Sequence, residues 1–201
     1  MRTLVIATTN AGKVREIEEI LAGRGFDLLT LANWPGVAAP EETGRTFEEN
    51  ARQKALYYAA ATGALTVAED SGLEIDALGG MPGVESARFG GADTPYTEKF
   101  SLIYDALQKR GAATSPARFV CALALAQSNR IVFESRGTIE GLIAPQPSGE
   151  GGFGYDPIFF YPPLGQTLAQ ASDRKRDVSH RGHAFAALRA FLEQHGDLFG
   201  A

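Results

Sequence analysis

Thr3-Leu4-Val5-Ile6-Ala7-Thr8-Thr9-Asn10-Ala11-Gly12-Lys13 opens the chain with an apolar run, a polar turn and a lysine. Thr3 to Thr8 read as a fully buried strand, and Thr9 to Gly12 as the turn that ends it. A helix is expected from Lys13 to Leu21, with Val14, Ile17, Ile20 and Leu21 on one face. Gly23 and Gly25 stop it, and Phe26 to Leu31 form a second strand. Strand, helix and strand in this order make a βαβ unit, the starting piece of an α/β fold.

Further along, Ala32 to Thr46 holds Pro35, Gly36, Pro40 and Gly44 and reads as a long loop of the kind that carries function. Thr46-Phe47-Glu48-Glu49 matches a capping box, with Thr46 as N-cap and Glu49 reaching back. The helix it starts runs through Ala61 and ends at Gly63. Leu65 to Ala68 form a short strand that delivers Glu69, Asp70 and Ser71 at its end, followed by a brief Leu73-Glu74-Ile75 segment. A helix is expected from Thr97 to Arg110. Two strands, Ala117 to Gln127 and Arg130 to Ile139, are joined at Ser128-Asn129 as a two-residue hairpin. After a Pro- and Gly-rich span come an aromatic strand, Ile158 to Tyr161, and a final helix from Ser179 to His195. Strands of both kinds with intervening helices give an α/β protein with a mixed sheet.

Composition removes several classes of function. The 201 residues are 44% hydrophobic and 21% charged, which is globular and not disordered. A net charge of −5 leaves no footprint for a nucleic-acid backbone or an anionic membrane, although a local cation cluster can still hold a small anion. The apolar run Phe119 to Ala126 is far short of the roughly 20 residues that span a bilayer. The apolar run near the N-terminus is too short for a signal peptide. The single cysteine, Cys121, lies in a strand-like run and reads as a buried hydrophobe, so a reducing, cytoplasmic setting is expected.

Four clusters carry chemistry. Thr8 to Lys13 lie between a strand and a helix N-terminus, where backbone N–H groups and the helix dipole attract phosphate and Lys13 adds a charge. The segment is not a Walker A loop, because the leading Gly is missing and Val14 follows the lysine. Glu69-Asp70-Ser71-Gly72 closes an apolar strand. Neighbouring carboxylates there suit a hard cation such as Mg²⁺, whereas Asp-Ser-Gly also suits a plain turn. Glu41-Glu42 in the long loop could add a carboxylate, or be solvated charge. Gly149 to Pro157 combines glycines with Phe153 and Tyr155, whose rings offer stacking faces to a flat ligand. Ser179 is a plausible N-cap for the last helix, which leaves His180, Arg181 and the preceding Lys175 to be explained.

In chain order, Thr8 to Lys13, Glu42 to Ala51, Asp70 to Leu73, Gly80 to Arg88, Gly152 to Pro157 and Ser179-His180-Arg181 resemble the motifs of the inosine triphosphate pyrophosphatase family. The match extends from Thr8 to the last helix. The resemblance implies one domain over residues 1–201: an elongated mixed sheet flanked by helices, with two lobes around a central cleft. It also implies a homodimer and Mg²⁺-dependent hydrolysis of ITP, dITP and XTP to the monophosphate and pyrophosphate, with Mn²⁺ as an alternative metal. By the same resemblance Thr8, Thr9, Asn10, Ala11, Gly12 and Lys13 bind phosphates, and Asp70 is the catalytic carboxylate and a metal ligand. Glu41 is the second ligand, and Ser71, Phe153, Gly154, Tyr155, Asp156, Lys175, His180 and Arg181 are the other substrate contacts. One departure concerns Glu69, since bacterial members usually carry Asp at that position. A related pyrimidine or modified-nucleotide pyrophosphatase, or a nucleotide sensor without turnover, would share part of this pattern.

Overall fold

The computed structural model describes residues 2–23, 25–171 and 178–195. The opening βαβ unit is present as β1 (Arg2–Ile6), α1 (Ala11–Leu21) and β2 (Phe26–Thr30), with β1 and β2 parallel and Leu4 opposite Leu28. Then come α2 (Phe47–Thr62), β3 (Leu65–Ile75), α3 (Tyr96–Lys109), β4 (Pro116–Gln127), β5 (Arg130–Ile143), β6 (Phe159–Tyr161), β7 (Gln166–Thr167) and α4 (His180–His195). The seven strands are ordered β2-β1-β3-β4-β5-β6-β7. Pairing is parallel on both sides of β1 and antiparallel from β5 through β7, so the sheet is mixed as expected.

Local chemistry explains most boundaries. Thr46 caps α2, its Oγ1 accepting from Glu49 N at 3.1 Å, and Gly63 ends the helix in the left-handed conformation at φ 68°. Glu49 reaches back one residue further than a capping box requires, accepting from Arg45 N at 2.7 Å. The β4–β5 hairpin turns at Ser128, with φ 58°. On α1, Ile17 and Leu21 are fully buried, while Val14 and Ile20 are only partly covered.

The chief departure is β3. Asp70-Ser71-Gly72 does not end a strand or make a turn; β3 runs unbroken for 11 residues from Leu65 to Ile75. The turn-forming tendency of these residues is overridden by packing, as happens readily in strands. Gly72 shows why the sequence tolerates it. Ser86 Oγ donates to Gly83 O at 2.6 Å and accepts from Leu73 N at 2.9 Å, and a Cβ on Gly72 would fall on both Ser86 and the Gly83 carbonyl. Gly72→Ala is therefore expected to lower unfolding free energy by roughly 1–3 kcal/mol in urea denaturation, through overpacking against backbone that cannot retreat.

Two compact units are present. One comprises Met1–Asp70, Cys121–Gly137 and Arg181–Ala201, with Leu4, Ile6, Ile17, Leu123 and Phe185 in its core. The other comprises Ser71–Val120 and Thr138–His180, with a core that includes Ile75, Ile103, Phe119 and Phe159. Among the described residues no helix is long and apolar enough to cross a membrane.

Candidate active site

Glu69 and Asp70 are consecutive in β3, and successive strand residues point to opposite faces. Their partners differ accordingly. Lys13 Nζ lies 2.6 Å from Glu69 Oε1 and Arg181 Nη2 lies 3.6 Å from it, while Cys121 Sγ donates to Glu69 Oε2 at 3.4 Å. Asp70 instead meets α2: Asn50 Nδ2 donates to its Oδ2 at 3.0 Å and Lys54 Nζ to its Oδ1 at 3.2 Å. Lys54 also donates to Glu42 Oε1 at 2.6 Å, which brings the long loop to the same place.

The adjacent acids are therefore not a matched pair presented to one ion. Both are buried, and burial alone would push both carboxyls up. At Glu69 the Lys13 ammonium, then Arg181 and Lys54, overcome that and hold the carboxyl well below its ordinary range. At Asp70 burial prevails over Lys54 and the Asn50 hydrogen bond, and the carboxyl stands above its ordinary value. The neighbouring acids are thus pushed in opposite directions, Glu69 towards its charged form and Asp70 towards its neutral form. Lys54 is itself raised: burial opposes its charge, but Asp70 and Glu42 outweigh it.

The Thr8–Lys13 segment departs from expectation in one respect. Asn10 is the N-cap of α1, and its Oδ1 accepts from both Gly12 N (2.9 Å) and Lys13 N (3.1 Å). Two amides read as open to phosphate are thus taken by a capping side chain. Thr8 Oγ1 accepts from Asn10 N at 3.2 Å. What this segment offers an anion is the positive end of α1 and the Lys13 charge.

In the second unit, Asp156 is buried and its Oδ2 accepts from Phe153 N at 2.9 Å, closing the glycine-rich turn. A Cβ on Gly152 would meet that carboxylate, and Gly152 stands at φ 72°. Phe153 and Gly154 are half-buried. Tyr155 does not offer an open stacking face. Its ring is buried in the core, edge-on to Tyr96 at 5.2 Å, and its hydroxyl donates to Ser86 O at 2.9 Å. Ser71 is half-buried in β3. His180 stacks on Phe119 with ring centroids 4.9 Å apart. Arg181 is buried, with Nη1 2.5 Å from Glu16 Oε2 in addition to its pairing with Glu69. Glu41 is exposed, one residue before the Glu42 that reaches Lys54. Lys175 lies outside the described residues.

Reading the sequence missed Asn50, Lys54 and Glu16. The first two did leave a trace. Phe47, Asn50, Ala51, Lys54, Ala55 and Tyr58 follow helical spacing, so an amide and an ammonium sit within the inward stripe of α2. Polar groups in such a stripe need partners, and here they are Asp70 and Glu42.

The mixed α/β sheet gathers Lys13, Lys54, Glu69 and Asp70 around β3. The family model for the Ham1 family matches residues 4–191. The dITP/XTP pyrophosphatase of an Exiguobacterium species is 48% identical over 188 residues, 93% of this chain and 95% of that one. A dITP/XTP pyrophosphatase of Thermus thermophilus is 47% identical over 195 residues, covering 96% of this chain and 92% of that one. Among solved structures, a HAM1 protein from Coxiella burnetii matches with a TM-score of 0.89 at 35% identity, covering 96% of this chain and all of that one. The chain belongs to the Ham1 family.

Proposed function

We propose that this protein is a nucleoside triphosphate pyrophosphohydrolase that removes non-standard purine nucleotides, cleaving ITP, dITP and XTP to the monophosphate and pyrophosphate. The observation that carries the reading is the arrangement along β3: a buried Asp70 held by Asn50 and Lys54 on one face, and a buried Glu69 paired with Lys13 on the other. The names of the Exiguobacterium and Thermus relatives, dITP/XTP pyrophosphatases, support dITP and XTP among these substrates.

In this reading Asp70 accepts the proton of a water that attacks the α-phosphorus, and the bond to the bridging oxygen of pyrophosphate breaks. Lys13 and Lys175 balance the charge gathering on the departing pyrophosphate, and Lys54 holds Asp70 ready between turnovers. Thr8, Thr9, Asn10, Ala11 and Gly12 seat the phosphates at the N-terminus of α1. Ser71, Phe153, Gly154, Tyr155, Asp156, His180 and Arg181 make the remaining substrate contacts. Phe153 supplies the aromatic face, Tyr155 and Asp156 hold its turn in shape, and Arg181 acts from its buried position between Glu16 and Glu69. Donors facing the 6-keto oxygen would disfavour adenine by roughly 1–3 kcal/mol for each donor left unpaired.

The oxygen-only donors Asp70 and Glu41, with Glu42 adjacent, fit a hard divalent cation. Among the described residues no three His, Cys, Asp or Glu side chains converge into a protein cage. Mg²⁺ or Mn²⁺ would be held here by one or two carboxylates and completed by water and phosphate oxygens. Such an ion would draw the triphosphate oxygens together and make the α-phosphorus more electrophilic. A cytoplasmic homodimer with no polymeric nucleic-acid partner completes the reading.

Purified protein incubated with ITP and Mg²⁺, beside GTP and ATP, tests it when products are separated by ion exchange. IMP plus pyrophosphate, formed far faster from ITP than the corresponding products from GTP or ATP, is the expected result, and EDTA is expected to stop turnover. IDP plus phosphate would place the attack at the terminal phosphorus and remove Asp70 from its assigned position. No product from any purine would leave a pyrimidine-directed enzyme or a silent binder.

A further inference from the structure

We infer that Asn50 is a positioning residue for the reaction, its carboxamide locking the Asp70 carboxylate to the loop that carries Glu41 and Glu42. The inference rests on the proposed role of Asp70. Asn50 is fully buried in the first turns of α2, and both ends of its amide are engaged. Gly44 N donates to Oδ1 at 2.8 Å, and Nδ2 donates to Asp70 Oδ2 at 3.0 Å. The orientation is forced. A backbone N–H can only donate, so the carbonyl end must face Gly44 and the NH₂ end must face the carboxylate. A flipped amide would set donor against donor and oxygen against oxygen.

The loop is built for this contact. A Cβ on Gly44 would crowd Asn50 Oδ1 and Glu49 Cβ, so only glycine lets the loop backbone come this close. The next amide, Arg45 N, is taken by Glu49. Asp70 Oδ1 then leads through Lys54 to Glu42. The connections Gly44, Asn50, Asp70, Lys54 and Glu42 form a circuit that leaves the loop and rejoins it two residues earlier. Asp70 is thereby fixed in rotation, with one oxygen committed to a neutral donor that does not compete for a proton. Glu41, next to the residue where the circuit rejoins the loop, is held near a set place relative to Asp70.

Two variants separate this role from mere packing. Asn50→Asp has the same shape and keeps the acceptor for Gly44 N, but loses the donor to Asp70. Asn50→Ala loses both bonds. With ITP as substrate and pyrophosphate release as the readout, Asn50→Asp is expected to lower kcat at least about tenfold while KM stays within about threefold. Cleavage by trypsin after Arg45 gives a readout independent of turnover. Wild type and Asn50→Asp are expected to resist it alike, and Asn50→Ala to be cut faster. Asn50→Ala places no new charge beside Asp70 and carries the kcat test should Asn50→Asp fail to fold. Wild-type kcat in a folded variant, or unchanged trypsin sensitivity in Asn50→Ala, would overturn the inference. Asp70→Asn measured alongside distinguishes the two levels: activity there removes the role of Asp70, whereas its loss with active Asn50 variants removes only the role of Asn50.

Discussion

Asp70→Asn is expected to bind ITP about as tightly as wild type and to turn it over roughly 10²–10⁴-fold more slowly, the usual contribution of a positioned general base. The replacement has the same shape, and its amide oxygen can still accept from Asn50 Nδ2. Lys54 keeps Glu42 as a partner. The Thr8–Lys13 segment, proposed to seat the phosphates, keeps its own bonds, because its ion pair and hydrogen bonds run to Glu69 and within the segment. What disappears is the carboxyl beside Lys54 whose proton affinity burial has raised. Calorimetric titration with ITP gives the affinity and single-turnover pyrophosphate release gives the rate. A variant with wild-type kcat would dismiss Asp70 from the chemistry.

Glu69→Ala is expected to produce the largest loss of stability, about 3–5 kcal/mol in urea denaturation, because removing one member of a buried ionic cluster strands the others. Lys13 would lose its 2.6 Å partner, and Arg181 would lose Glu69 while keeping Glu16. Both cations are tied to the Glu69 side chain, so activity is expected to fall with stability. Glu69→Asp distinguishes length from charge. The shortened acid retains the anion but withdraws it by one methylene, and it is expected to recover most of the stability while leaving Lys13 less firmly held. Equal stability for Glu69→Ala and wild type would mean that the cluster contributes nothing net to folding.

Features governed by neighbours in sequence were readable in advance. The Thr46 cap, the Gly63 stop and the Ser128-Asn129 turn each follow from a few adjacent residues, and each is present. The βαβ opening and the mixed sheet were readable from hydrophobic patterning for the same reason. Asp70 is singled out as a candidate site residue by motif resemblance, but its surroundings are not. Its partners come from α2, 16 and 20 positions earlier in the chain; helical spacing puts Asn50 and Lys54 on the inward stripe but does not say which strand residue they meet. The sequence reading places Glu69 and Asp70 together at a strand end, with Asp70 and Glu41 as the expected metal ligands. An unbroken strand separates Glu69 from Asp70 by its alternation. The opposite directions in which the two carboxyls are pushed, and the capture of the Gly12 and Lys13 amides by Asn10, depend on three-dimensional neighbours that spacing does not encode.

The unbroken run of β3 also bears on how this chain can change over generations. Every side chain from Leu65 to Ile75 is assigned to a face by counting from its neighbours, so losing or gaining one codon there would exchange the surroundings of Glu69 and Asp70 in a single event. Glu69 would land beside Lys54, and Asp70 beside Lys13. Lineages carrying such a change would be eliminated whatever residue was inserted, while the stretch from Trp34 to Pro40 could lengthen freely. Variation in length among descendants should therefore collect in that loop and be missing from the strand.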